Sequence, residues 1–173
     1  MLAFWTRAFP EDGWSVSCLS RDGEPVECAK GLVVSAHHAV GDAPPLDVLV
    51  HPGGQGTRPQ LHDEEHLAWL RAARQEVPRL ASVCTGALCL AAAGLLTGRP
   101  ATTHHGALDL LADLDPTIDV RPDDRFVDDG DVITSSGVSA GIDMALHLVA
   151  RLAGPDRARE VRHGIQYDPQ PPV

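Results

Sequence analysis

The sequence predicts a single α/β domain, an open, doubly wound, mostly parallel sheet with helices on both faces. Three observations carry this expectation. Short apolar runs of strand length alternate with stretches of helical periodicity. The residues with reactive chemistry fall where strands hand over to helices, which is where open α/β sheets hold their ligands. The chain has 173 residues, of which 43% are hydrophobic, enough for one core and too few for two comfortable ones. One domain is therefore expected over residues 1–173.

Residues 1–9 carry Leu2, Phe4, Trp5 and Phe9 at helical spacing, and Pro10 with Glu11, Asp12 and Gly13 ends the run. No capping side chain precedes the first apolar turn, so this is either a frayed terminus or a helix without its first half. Residues 14–19 alternate as a strand, Arg21-Asp22-Gly23-Glu24 supplies a turn, and residues 25–28 begin the return. Counting outward from Asp22-Gly23 sets Cys18 opposite Glu27, so Cys18 and Cys28 face apart and do not bridge. Leu32-Val33-Val34 makes a further short strand before His37 and His38, which read as solvated loop histidines rather than metal ligands.

Residues 46–50 form a short apolar run after Pro44-Pro45, consistent with a buried parallel strand. It leads into His51-Pro52-Gly53-Gly54-Gln55-Gly56. No Lys-Ser/Thr follows these glycines, and Pro59 stands where a dinucleotide loop needs Gly or Ala. They read as a turn whose bare N–H groups can approach a ligand. Residues 63–76 form a helix with Leu67, Leu70 and Ala73 on one face. His62 and His66 bracket its acidic start, but Asp63 occupies the place where a zinc-protease motif requires Glu, and His62 falls at the cap.

Residues 79–83 read as a strand, Cys84 as a sharp turn, and the small residues after it as a helix. A second strand, 101–103, runs into His104 and His105. Residues 107–114 are helical, and two short strands flank Asp129-Gly130 between 125 and 136, where the aspartates lack calcium-loop spacing. Residues 139–152 form an apolar helix with Ile142, Ala145, Leu146 and Val149 at core spacing and Asp143 inside it. Gly154-Pro155 breaks the chain before a short charged helix, and residues 168–172 form an extended proline tail.

Charge narrows the partners. With 24 acidic and 14 basic residues the formal charge is −10, which repels phosphate backbones and anionic membranes. Neither nucleic acid nor membrane is expected as a partner. The chain shows no disulfide-rich pattern and no secretory signal, so reduced thiols and a cytoplasmic location are expected. The opening apolar residues are interrupted by Arg7 and Pro10, too early for a signal core or a membrane span.

The stretch Ser82-Val83-Cys84-Thr85-Gly86 has the pattern small-x-nucleophile-x-small of a strained strand-to-helix elbow, where bulky neighbours would collide. Ser82 takes the position that hydrolases give to glycine. A helix N-terminus favours thiolate over thiol, so Cys84 is the candidate nucleophile; the competing reading is a small buried hydrophobe. Thr85 is placed to offer a hydroxyl to the sulfur or to a bound intermediate, or to cap the helix. Gly54 and Gly86 are candidate backbone donors to developing negative charge. His104 is a candidate general base or substrate contact, or else a satisfied loop histidine. No metal-ligand set and no cofactor motif is read.

Val83-Cys84-Thr85-Gly86-Ala87, Thr102-Thr103-His104, the Pro52-Gly53-Gly54-x-Gly56-Thr57 loop, Ser139-Ala140-Gly141-Ile142-Asp143 and the ending Gln166-Tyr167-Asp168-Pro169-Gln170-Pro171-Pro172 occur in one order. Together they resemble the PfpI-type branch of the glutamine-amidotransferase-like superfamily, in particular isonitrile hydratase-like proteins and the ligand domains of AraC-type regulators. The resemblance runs from Leu2 onward over nearly the whole chain. It implies a flavodoxin-like sandwich, a homodimer, a small-molecule substrate, and a nucleophilic Cys84 with Thr85 beside it. It also implies a reaction without metal or organic cofactor, in which a thiolate attacks the terminal carbon of R–N≡C and water resolves the thioimidate to an N-substituted formamide. A non-catalytic ligand-sensing domain and an amidase or aldehyde-directed member are the alternatives.

Two departures accompany the resemblance. The family opens with a central strand and a turn bearing an acid that serves the cysteine. This chain is expected to start after it, short by roughly 20 residues, or one strand, a turn and half a helix. No residue here matches that acid. His105 also stands where an aromatic residue is expected after His104.

Overall fold

Alternation along three short strands sorts apolar side chains to two opposite faces, and the layers of the molecule follow from it. The computed structural model describes residues 1–169. It opens with α1 (Leu2–Ala8), a 3-10 turn at Pro10–Asp12, and four two-residue strands, β1 (Leu19–Ser20), β2 (Val26–Glu27), β3 (Val33–Val34) and β4 (His38–Ala39). The middle of the chain holds β5 (Val48–His51), the single-turn α2 (Thr57–Gln60), α3 (Glu64–Glu76), β6 (Arg79–Val83) and α4 (Gly86–Ala92). Then come β7 (Pro100–Ala101), α5 (Leu108–Leu114), β8 (Asp119–Val120), β9 (Phe126–Asp128), β10 (Val132–Ser135), α6 (Ala140–Ala153) and α7 (Pro155–Gly164).

The main sheet has the order β5-β6-β10-β9, with β5, β6 and β10 parallel and β9 closing an antiparallel hairpin onto β10. Successive side chains on a strand point to opposite faces. Leu80 of β6 joins Leu49 and Val132 on one face, under Leu67 and Leu70 of α3 and Leu88 and Leu90 of α4. Ala81 turns the other way with Ile133, under Met144 and Leu148 of α6. Helices thus cover both faces, the doubly wound α/β arrangement that the sequence predicts. Trp5, Val149 and Val161 form a third cluster that seats α1 and α7 on α6. The uncapped α1 is anchored from beyond its end. The Trp5 indole N–H donates to Asp12 at 2.7 Å, and Asp12 pairs with Arg157 of α7 at 2.8 Å.

The predicted hairpin between residues 14–19 and 25–28 does not form. β2 pairs antiparallel with β3, and β1 pairs in parallel with β4. Asp22 does turn the chain, accepting the Glu24 N–H at 3.1 Å, but the edge of residues 18–20 is claimed elsewhere. The Cys18 N–H donates to Nδ1 of His37 and the His37 N–H returns a bond to the Cys18 carbonyl. The tight reversal lies instead at residues 28–32, where Gly31 adopts φ +79° and the Cys28 N–H donates to the Leu32 carbonyl. Cys18 and Cys28 are both free and exposed. Of the predicted proline tail, Gln170, Pro171 and Pro172 lie outside the described residues.

Candidate active site around Cys84

Between the end of β6 at Val83 and the start of α4 at Gly86, two residues must reverse the chain. Cys84 does so with φ +57°, a left-handed conformation that costs an L-residue about 1–2 kcal/mol. Its surroundings hold it there. The Cys84 N–H donates to the carbonyls of Ser135 and Ser136 at 3.1 and 3.2 Å, and its own carbonyl accepts the Thr103 hydroxyl at 2.8 Å.

Small neighbours are a steric requirement of this elbow. A Cβ added at Gly53 would stand 2.5 Å from the Thr85 nitrogen and 2.9 Å from the Cys84 Cβ. One added at Gly86 would stand 2.4 Å from the His51 carbonyl oxygen. At Gly141 the obstacle is a Val83 methyl at 2.9 Å, so the first turn of α6 also leans on the strand that carries the thiol. Cys84 as a residue is half-buried.

Thr85 does not cap α4 with its side chain. Its hydroxyl accepts the Gly54 N–H at 2.8 Å and lies 3.2 Å from the Thr57 hydroxyl, which in turn donates to the Gly54 carbonyl. The residue next to the thiol therefore clasps the glycine loop, and the Gly54 N–H is engaged within that clasp. His104 accepts the Gly106 N–H on Nδ1 at 3.1 Å, which leaves the proton of the neutral ring on Nε2. Its ring packs on Gly137, where a Cβ would stand 2.6 Å from Cδ2, and on His105 with ring centroids 4.2 Å apart. Thr103 and Ser136 both bond to the Cys84 peptide, and His104 and Gly137 are the next residues on those two segments. The segments carrying His104 and Gly137 thus run against the Cys84 backbone, next to Thr85 and the Gly54 loop that it clasps.

Asp143 has a structural explanation. It pairs with Arg125 and accepts the Tyr167 hydroxyl at 3.0 Å, tying the segment after α7 to α6.

Sequence spacing missed a second group. His51 at the end of β5, His66 in the first turn of α3 and Cys89 within α4 converge, with their ligand atoms no more than 4.8 Å apart. His51 and His66 meet Nε2 to Nε2 at 2.9 Å, and His51 Nδ1 lies 2.9 Å from the Pro52 carbonyl. Burial holds His51 down to about 4, with the neighbouring His66 adding to it, and burial pushes the Cys89 thiol up to about 12. His62, the partner that the zinc-protease comparison suggested for His66, is exposed. The three residues lie on three elements, so only the fold reveals them.

The DJ-1/PfpI family pattern matches residues 3–151. The chain belongs to the DJ-1/PfpI family. An isonitrile hydratase of Pseudomonas putida is 42% identical over 153 residues, a match spanning 88% of this chain and 65% of that protein. The HTH-type transcriptional regulator GbdR of Pseudomonas aeruginosa is 32% identical over 150 residues, spanning 87% of this chain and 40% of the regulator. A crystal structure of a THiJ/PfpI family protein from Pseudomonas syringae superposes with a TM-score of 0.84 at 32% identity, covering 99% of this chain and 73% of that one. The chain thus spans less than two thirds of the length of either curated relative. The DJ-1/PfpI membership agrees with the resemblance read from the five motifs. Among the described residues, no helix of this DJ-1/PfpI chain is long and apolar enough to cross a membrane.

Proposed function

We propose that the chain carries an isonitrile hydratase-type site in which Cys84 is the nucleophile. The observation that carries the reading is the elbow itself, a half-buried cysteine at φ +57° whose neighbour Thr85 clasps the glycine loop, in a chain 42% identical to an isonitrile hydratase. In this reading the Cys84 sulfur forms a bond to the terminal carbon of R–N≡C, and that carbon takes up a proton to give R–N=CH–S–Cys84. Water then adds to the same carbon, the C–S bond breaks, and R–NH–CHO leaves with the thiol restored. His104, with its proton on Nε2, is the side chain beside the elbow suited to move these protons. Thr85 positions the Gly53-Gly54 loop, and Gly86 supplies a backbone N–H at the start of α4.

The test follows formyl-proton appearance by NMR when a simple alkyl isonitrile is added. Turnover by the unaltered protein and none by Cys84→Ala is the expected result, and equal turnover by both overturns the assignment. The regulator relatives favour a second reading, a ligand-sensing domain. Saturable binding of a small molecule with no formamide produced would select it. The homodimer belongs to the same proposal and is checked by sedimentation equilibrium, where a monomer at micromolar concentration removes it.

A further inference from the structure

We propose that His51, His66 and Cys89 form a binding site for one zinc-type transition-metal ion beneath the glycine loop that flanks Cys84. The donor set comes first: two imidazoles and one thiolate select borderline metals such as zinc over magnesium or calcium. Their ligand atoms already lie within 4.8 Å of one another, and the His51 and His66 nitrogens are 2.9 Å apart. A tetrahedral ion would hold two imidazole nitrogens roughly 3.3 Å apart and nitrogen and sulfur roughly 3.6 Å apart. The imidazoles need to part by a few tenths of an ångström and the sulfur to close by no more than about 1.2 Å.

The orientation of His51 is the second argument. Its Nδ1 faces the Pro52 carbonyl at 2.9 Å, so that nitrogen carries the proton and Nε2 presents its lone pair to the cluster. This backbone bond to the far ring nitrogen is the arrangement that fixes metal-binding histidines. A fourth donor, an oxygen, is at hand. Gln60 Oε1 lies 3.6 Å from the Cys89 sulfur, and the Thr57 carbonyl lies 3.9 Å from it.

A third observation is independent of the donors. Ser82 is the register partner of both His51 and Thr134, so the three side chains share one face of the sheet. Ser82 is fully buried and its hydroxyl has no partner among the described residues. Such orphaned groups are rare in a core, and the strand register sets this one on the same sheet face as His51.

An ion here would join β5, α2, α3 and α4, the elements on either side of the Pro52–Thr57 turn that Thr85 clasps. Its role is to stiffen the loop beneath the elbow without touching Cys84.

The experiment titrates untagged, chelator-treated protein with cobalt(II) and follows the near-ultraviolet thiolate-to-cobalt band and the visible d–d bands. One equivalent should saturate a band of tetrahedral strength, and zinc(II) should displace the cobalt stoichiometrically. His66→Gln alters a half-buried side chain, so its fold can be verified by circular dichroism; it should weaken cobalt binding more than about 100-fold. Cys89→Ser should abolish the charge-transfer band, whereas Cys84→Ala should retain both band and stoichiometry. No band at one equivalent, a band unchanged in folded His66→Gln, or a band lost in Cys84→Ala would each overturn the proposal.

Discussion

At Cys84 the side chain that the chemistry requires is at odds with the backbone it occupies. Only glycine adopts φ +57° freely, and every other residue type gives up about 1–2 kcal/mol there. Cys84→Gly should therefore be at least as stable as Cys84→Ala, ahead by up to about 1 kcal/mol once glycine's greater unfolded-state freedom is deducted. Urea denaturation of the two variants checks this, and an alanine variant that is clearly the more stable would show that the elbow stores no strain. This residue was legible in the sequence because each small neighbour is a steric condition of the turn: Gly53 and Gly86 admit no Cβ. The work of Thr85 was not legible, since its partners Gly54 and Thr57 lie about thirty residues upstream and meet it only in the folded chain.

At the scale of elements, periodicity sufficed where a segment was long enough to show one. The helices α3 and α6, the strands β5 and β6 and the β9–β10 hairpin lie close to where their patterns put them. The helix read over residues 1–9 and the strand at 32–34 also form, but strand pairing between residues 14 and 40 defeated it, because strands of two residues have no period and their partners were chosen by bonds such as Cys18 N–H to His37. Charge pairing between elements was equally hidden. The turn joining β9 to β10 carries Asp129 and Asp131, which bind Arg99 ahead of β7, and Asp131 also pairs with Arg74 of α3. The hydrogen bond from Arg99, above all, holds the Asp131 carboxyl below the usual carboxylate range, against a smaller opposing effect of burial. A carboxylate whose folded value is depressed contributes stability that is complete above its unfolded value, about 3.9, and is lost as pH falls from there through the folded value. Asp131→Asn should accordingly lower the unfolding free energy at pH 7 by about 0.5–1 kcal/mol, a modest figure because the groups are partly solvated. The difference from the unaltered protein should close as the pH drops below about 3.9. Urea midpoints measured from pH 7 down to pH 3 decide it, and a constant difference across the range would remove the ion pair as its cause.

For the whole molecule, net charge is the property that the sequence determines outright, and it bears on how the two families of relatives divide. The hydratase match covers 88% of this chain and the regulator match 87%, so the two overlap over most of it and the shared fold cannot separate catalysis from sensing. The surface can separate one consequence of them. Nonspecific DNA affinity comes from basic side chains that displace counterions from the phosphates, and a molecule with a formal charge of −10 has an unfavourable field over most approaches. Many of its arginines are already engaged: Arg21, Arg71, Arg74, Arg99, Arg125, Arg151 and Arg157 all pair with carboxylates. The chain should therefore fail to retard a short duplex in a gel even at about 0.05 M salt, where electrostatic binding is strongest. Retardation that weakens steeply as salt is raised would overturn this, and would require a basic face that the pairing pattern does not suggest. Without retardation, a sensing role would have to pass through a separate DNA-binding segment or partner, whereas a hydratase needs neither. The gel thus removes direct DNA contact from the sensing hypothesis, and formamide production, with its dependence on Cys84, decides between what remains.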